Sequence, residues 1–410
     1  MTEIPPASTL DAALELFPYQ RELVAYLKSE ERDLWAWFAS AKYLTKYAES
    51  VRLELLKATY RFDPVEHAKI YARAQAACEV LGVDAPVTIY QATQTDELNA
   101  ALAFVPGEVH IILHGAVTSL LTEEELQAAL AHELTHYVLW SRFDRDLLIA
   151  HRLLEGIASH PNASASHVES ASLFALYLEI HADRGALVVM QEPMAPIRSL
   201  IKLQTGLTDI HAESYLRQAD EIFSRERVKS QQLTHPESFI RARALREWSQ
   251  HGRESFAEIA RMIEGTDVID RLDLVGQVRL SHLTRRLLSA FLAPQWLRTE
   301  AVLAHARRFF PDLQPSGAID DDLAHTIAAL DPSVQRYLAY VLLDFAVADP
   351  ELEDVPVAAV IEAATRCGMG EQMLALIVKE IALPKKRLAK LEEQRAQMLA
   401  AAERQAEQGL

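Results

Sequence analysis

The run His132-Glu133-Leu134-Thr135-His136 constrains this chain more than any other feature. Just upstream, Thr122-Glu123-Glu124-Glu125 has the form of a capping box, with Thr122 as N-cap and Glu125 at the third helical position. A helix from about Glu123 to Trp140 follows, with Leu126, Ala129, Leu130, Leu134 and Val138 available for burial at helical spacing. Positions i and i+4 of a helix share a face, so His132 and His136 can aim two imidazoles at one metal ion. Glu133 lies beside them and can reach a metal-bound water. Zinc takes nitrogen ligands in a tetrahedral set and keeps one position open in catalytic sites. The pattern predicts metal-assisted hydrolysis of the metalloprotease type, although the bare pentapeptide also occurs by chance in helices.

A third ligand decides between those readings, and Glu179 is the candidate. The segment Ser170 to Asp183 reads as a second helix with Leu173, Leu176, Tyr177 and Ile180 as its apolar stripe. Glu179 and Asp183 are one turn apart and face the same way. A carboxylate from a second helix completes a His, His, Glu zinc site. Asp183 then suits an outer role, accepting from the far ring nitrogen of a ligand histidine. The alternative is a solvated acidic pair on a surface helix.

These residues resemble the gluzincin metallopeptidases of the family that includes the CAAX prenyl endopeptidases and the heat-shock protease HtpX. That family carries H-E-x-x-H followed by E-x-x-x-D on a later helix, here Glu179 to Asp183. The lead-in Leu81 to Tyr90, Asn99-Ala100 and Leu121 to Leu126 also matches, as does Thr234-His235-Pro236 with Arg241 six residues after the histidine. The likeness covers roughly residues 62 to 250. It implies one zinc ion per chain on His132, His136 and Glu179, Glu133 as general base and proton shuttle, and Asp183 orienting a ligand histidine. It further implies that His235 stabilises an oxyanion, that Arg241 braces the acidic groups, and that Asn99 to Phe104 lie near an edge strand that pairs with an extended substrate. The chain departs from the family at Ala101, where an aromatic residue commonly follows Asn-Ala, and in lacking the membrane spans of the best-known members.

Bulk properties agree with an enzyme of this kind. The chain's 410 residues suffice for two or three domains, and 50% hydrophobic content supports a sizeable core. A net charge of −17 argues against nucleic acid and anionic membrane surfaces as partners. Cys78 and Cys367 give neither a disulfide framework nor a zinc-knuckle spacing, which points to a reducing compartment. With no basic, apolar leader and no run of about 20 apolar residues, a soluble cytoplasmic protein is expected.

The expected fold is mainly α, with an α+β zincin-like core containing a small sheet. Residues 1–61 read as an N-terminal helical segment, 62–252 as the metallopeptidase domain, 253–383 as a C-terminal helical domain and 384–410 as a charged helical tail. Within the first, residues 1–16 read as a loose lead-in and Tyr19 to Tyr60 as one or two long helices, with the Leu34 to Phe38 aromatic cluster either a docking face or a binding surface. Pro86 to Gln91 and Glu108 to His114 read as strands. Gly156 to Ser166 reads as a loop that could act as a lid, and the histidines His114, His151, His160 and His167 are read as non-ligands. Residues 337–381 resemble the helical TerB-like domain of tellurite-resistance proteins, where Asp344, Asp349, Glu351 and Glu353 could bind a divalent cation or form a solvated acidic turn. The functional expectation is a zinc endopeptidase acting on a polypeptide, with the C-terminal domain available to a protein partner. The alternative is a latent protease-fold scaffold or sensor whose C-terminal domain carries the function.

Overall fold

Helix and one small sheet make up the protein, which a computed structural model describes at residues 10–93, 95, 97–225 and 237–408. The chain divides into two units, Met1–Gly265 and Thr266–Leu410.

The first unit opens with α1 (Leu10–Ala13), α2 (Pro18–Glu30), α3 (Arg32–Ala39) and α4 (Ala41–Ala58). It continues through β1 (Thr59–Arg61), α5 (Ala68–Leu81), β2 (Val87–Ala92), β3 (Asn99–Val105), β4 (Glu108–His114) and α6 (Val117–Leu120). Then come α7 (Glu123–Ser141), α8 (Asp146–Ala158), α9 (Ala165–Met190), α10 (Met194–Thr205), α11 (Ala212–Arg225), α12 (Ser238–His251) and α13 (Phe256–Glu264). The strands lie in the order β1-β2-β4-β3, with β2 and β4 parallel and the outer pairs antiparallel. Among the described residues β3 is therefore an edge strand, and it packs against α7.

The capping box forms as its residue types require. Thr122 Oγ1 accepts from the Glu125 backbone N–H at 3.3 Å, and Glu125 accepts in return from the Thr122 N–H at 2.9 Å. Glu125 is also buried against Lys202 Nζ at 2.9 Å and Arg198 Nε at 3.3 Å, so the same carboxylate ties α7 to α10. Both α7 and α9 are buried around most of their circumference, with α9 buried without interruption from Leu176 to Val189. Each was expected to show an apolar stripe; each is instead a central helix covered on several sides.

Several segments differ from the sequence expectation. Residues 10–17 are not a loose lead-in: Ala13, Leu14 and Phe17 are buried, and Phe17 stacks on Phe256 at 4.4 Å and packs at a tilt on Tyr177 at 4.8 Å. Gln20 Oε1 meets His181 Nε2 at 2.7 Å, and Arg184 Nη2 donates to the Glu15 carbonyl at 2.9 Å, so this segment grips one side of α9. Tyr19 to Tyr60 contains three helices and a strand, because Glu31 and Ser40 interrupt the helical run and Thr59 to Arg61 pair with β2. The aromatic cluster docks in part: Phe38 sits over Gly156 of α8, while Leu34 and Trp37 stay exposed. The expected lid is short. The chain breaks at Phe143 to Arg145, all with positive φ, then α8 runs to Ala158 and α9 starts at Ala165.

The second unit holds α14 (Leu274–Phe291), α15 (Glu300–Phe309), α16 (Asp321–Ala328), α17 (Pro332–Ala346), α18 (Val355–Arg366), α19 (Gly370–Glu380) and α20 (Lys385–Glu407). One apolar core joins them, with Phe345, Leu342, Ile361, Met373 and Cys367 at or near zero exposure. The charged tail is helical as expected, and α20 packs on α18 through Leu388 and Leu391, with Arg387 on Asp354 and Arg395 on Glu362. Asp349 is used locally, its carboxylate accepting from the Glu351 N–H at 3.0 Å.

Candidate active site

Two helices bring the three expected ligands together. His132 and His136 stand one turn apart on α7, and α9 crosses with Glu179 facing both. His136 Nε2 lies 3.3 Å from Glu179 Oε1, and His132 Nε2 lies 3.5 Å from Glu179 Oε2. Zinc–ligand bonds of about 2.1 Å at tetrahedral angles put neighbouring donors roughly 3.4 Å apart. The N, N, O donor set and its spacing therefore fit one zinc ion. Among the described residues, these three form the group able to hold a metal, with donor atoms all within 4.8 Å of one another. The acidic residues around Asp349 form no second such group among the described residues.

Asp183 and Arg241 set the ring orientation. His132 Nδ1 and Asp183 Oδ1 are 3.0 Å apart, which leaves Nε2 to face Glu179. Arg241, from α12, donates to both Asp183 oxygens, from Nε at 2.8 Å and Nη2 at 2.5 Å, and its Nη1 lies 3.2 Å from Glu179 Oε2. The planar guanidinium suits this two-carboxylate grip. Burial pushes the carboxyls of Asp183 and Glu179 up, yet the Arg241 charge and the neighbouring histidine hydrogen bonds outweigh it and hold both below their ordinary values. Burial pushes His132 down, but hydrogen bonds to Asp183 and Glu179 hold its ring up at about 10. Among the described residues, His136 Nδ1 is buried without a hydrogen-bond partner, so only one of the two rings is braced from behind.

Glu133 points to the same space. Burial raises its carboxyl above the ordinary value, against the opposing pull of His132 and His136, and the Leu102 backbone of β3 faces it. A carboxylate with a raised pKa in a cleft is suited to take up and release a proton. The cleft has a volume of about 900 Å³ and runs along β3, where Asn99 to Leu102 form one rim.

His235 lies outside the described residues, so its expected place is not described. Two features went unread in the sequence. Gly185 lies where α9 passes closest to α7, and a Cβ there would overlap the Thr135 side chain. Only a bare Cα lets the ligand helices approach this closely; a glycine inside a helix is the signal that could have found it. His151, read as a non-ligand, stacks on Trp140 at 5.7 Å and lines the cleft. Burial pushes its pKa down to about 4, so the ring is neutral at physiological pH.

Residues 64–249 match the model of peptidase family M48. The chain is 31% identical over 193 residues to the plastoglobule-localized metallopeptidase 48, chloroplastic, of Arabidopsis thaliana, covering 42% of this chain and 55% of that protein. It thus spans just over half the length of that relative. No helix among the described residues is long and apolar enough to cross a membrane. The matched stretch includes α7, α9 and Arg241, so the likeness to peptidase family M48 covers the whole of the candidate site that the structure describes.

Proposed function

We propose that this chain is a zinc-dependent endopeptidase that hydrolyses peptide bonds of an extended polypeptide. The observation that carries the reading is the convergence of His132, His136 and Glu179 beside Glu133, at the open edge of β3. His132, His136 and Glu179 would hold the ion, with Asp183 and Arg241 fixing the donors. Zinc held there would supply Lewis acidity toward a peptide carbonyl and lower the pKa of water to about 7.

The remaining work falls to the protein. Glu133 accepts a proton from the attacking water and returns it to the leaving amine nitrogen. Its raised pKa keeps that return favourable near neutral pH. The outer edge of β3, which pairs with no strand among the described residues, aligns the substrate backbone by strand addition. His235 would donate to the developing oxyanion, as the family resemblance implies. The relative named above is a metallopeptidase by name, which supports the same reading for the segment it shares.

The test combines metal content with cleavage. The full chain should hold about one zinc, cleave unfolded β-casein, and lose that activity to a chelator. Glu133→Gln should retain zinc and lose hydrolysis, because the amide cannot accept the proton. Zinc-loaded protein that leaves the casein intact would favour the latent scaffold instead, and a Glu133→Gln variant as active as the parent would refute the assigned base.

A further inference from the structure

The cleft has a direction and two unlike flanks. The direction comes from β3, which runs alongside α7 in the same sense. Its lead-in residue Leu98 lies against Gly206 at the end of α10, Leu102 faces Glu133, and Phe104 packs on Tyr137 and Trp140 at 5.6 and 5.7 Å. Antiparallel pairing is the more stable way to add a strand. A substrate added that way has its N-terminal part over Trp140 and its C-terminal part toward α10.

The Trp140 flank is built by one stripe from each of three helices. Trp140 follows His132 and His136 at four-residue intervals on α7. Ala171 and Ala175 precede Glu179 at the same intervals on α9. His151 and Leu154 face them from α8, and all line the cleft. The rings of Trp140 and His151 are stacked nearly parallel, with an interplanar angle of 19°, and both line the cleft. On the same cleft, Ala171 and Ala175 carry only methyl groups and are partly exposed. On the rim, Ala101 adds another small side chain. Small side chains lining the cleft beside an aromatic stack leave room for a ring or a branched aliphatic group. Among the described residues that line this flank, the charged side chain is Glu155, exposed beside His151.

We infer that this slot is the specificity pocket for a large apolar side chain, aromatic or branched aliphatic, within the two residues preceding the scissile bond. The inference rests on the endopeptidase reading above and adds to it a substrate class and a polarity. Burying one such side chain supplies discrimination of roughly 10- to 100-fold over alanine.

The test uses the full zinc-loaded chain on unfolded β-casein, with every cut located by mass spectrometry. Phe, Tyr, Trp, Leu, Ile or Val should be enriched at one of the two positions before the cut. Ala171→Phe fills the slot and should shift those positions toward small residues, lowering kcat/KM for bulky sites about 10-fold or more. A second measurement avoids turnover. Glu133→Gln should bind a fluorescent peptide with Phe before the bond at least 10-fold more tightly than its Ala counterpart, and Ala171→Phe in that background should abolish the difference. Circular dichroism checks that both variants fold. Cuts with no preference before the bond, or with a preference only after it, would overturn the pocket or its polarity while leaving the peptidase reading intact. Absence of any cutting by the zinc-loaded chain would overturn both.

Discussion

Replacing Gly185 with alanine tests whether the spacing of two helices, rather than the ligand residues alone, makes the metal site. A Cβ at 185 would stand 2.5 Å from Thr135 Cγ2 and 2.7 Å from Thr135 Cβ, with Oγ1 closer still. Thr135 cannot swing away, since it is fully buried and its hydroxyl donates to the Ala131 carbonyl at 2.7 Å. Carbon–carbon contacts settle at about 3.5–4.0 Å, so α9 must retreat from α7 by roughly 1 Å. Overpacking of this severity costs about 3 kcal/mol, and the better helix propensity of alanine offsets about 1 kcal/mol of it. The net expectation is a loss of about 2 kcal/mol in urea denaturation of the metal-free protein. The retreat also carries Glu179 and Asp183 away from the histidines, so zinc affinity should fall at least 10-fold, or about 1.4 kcal/mol. A second substitution checks the cause. Thr135→Ala still leaves its Cβ 2.7 Å from the new methyl and should rescue little. Thr135→Gly removes the three atoms closest to the new methyl and should restore zinc affinity, though it brings its own helix cost of about 1 kcal/mol. The reasoning fails if Gly185→Ala keeps both its denaturation midpoint and its zinc affinity, or if Thr135→Gly does not restore binding.

Asp183→Asn should weaken zinc binding about 10- to 100-fold, measured by competition with a chromogenic chelator, and unchanged affinity would mean that His132 needs no such partner. Arg241→Leu leaves Asp183 and Glu179 as buried carboxylates without their cation, which should cost about 3–5 kcal/mol in the metal-free protein. Bound zinc supplies positive charge beside Glu179, so the loss should be smaller with zinc present; equal losses in the two forms would contradict the charge argument. His235→Ala, at a position outside the described residues, should lower kcat and kcat/KM together by about 100-fold while zinc content persists. Loss of zinc in that variant would make His235 a ligand, and full activity would remove it from the site.

The local chemistry was legible in the sequence because each signal lies within a few residues. Thr122 and Glu125 form their capping box, and His132, Glu133 and His136 follow at the spacing that puts two rings on one face. Glu179 and Asp183 could be read as a one-turn pair, and β4 could be read from its β-branched run. What lay beyond the sequence was which elements cover which. Alternating alanines and polar residues let α7 and α9 read as helices with one apolar stripe, whereas both are buried on most sides, and only a three-dimensional core decides how many faces a helix loses to its neighbours. The strand Thr59–Arg61 is too short to carry a period of its own and exists because β2 offers it an edge. Residues 10–17 look featureless in order, yet Leu14 and Phe17 are core residues because α9 presents His181 and Arg184 to them. The sequence by itself determined which side chains could serve as donors and as base, and the helices that bear them. The tertiary structure alone decided the distance between those helices, through Gly185 and Thr135, the clasp of Arg241 on two carboxylates, and the slot beside Trp140, because each depends on atoms far apart in the chain meeting within one or two ångströms.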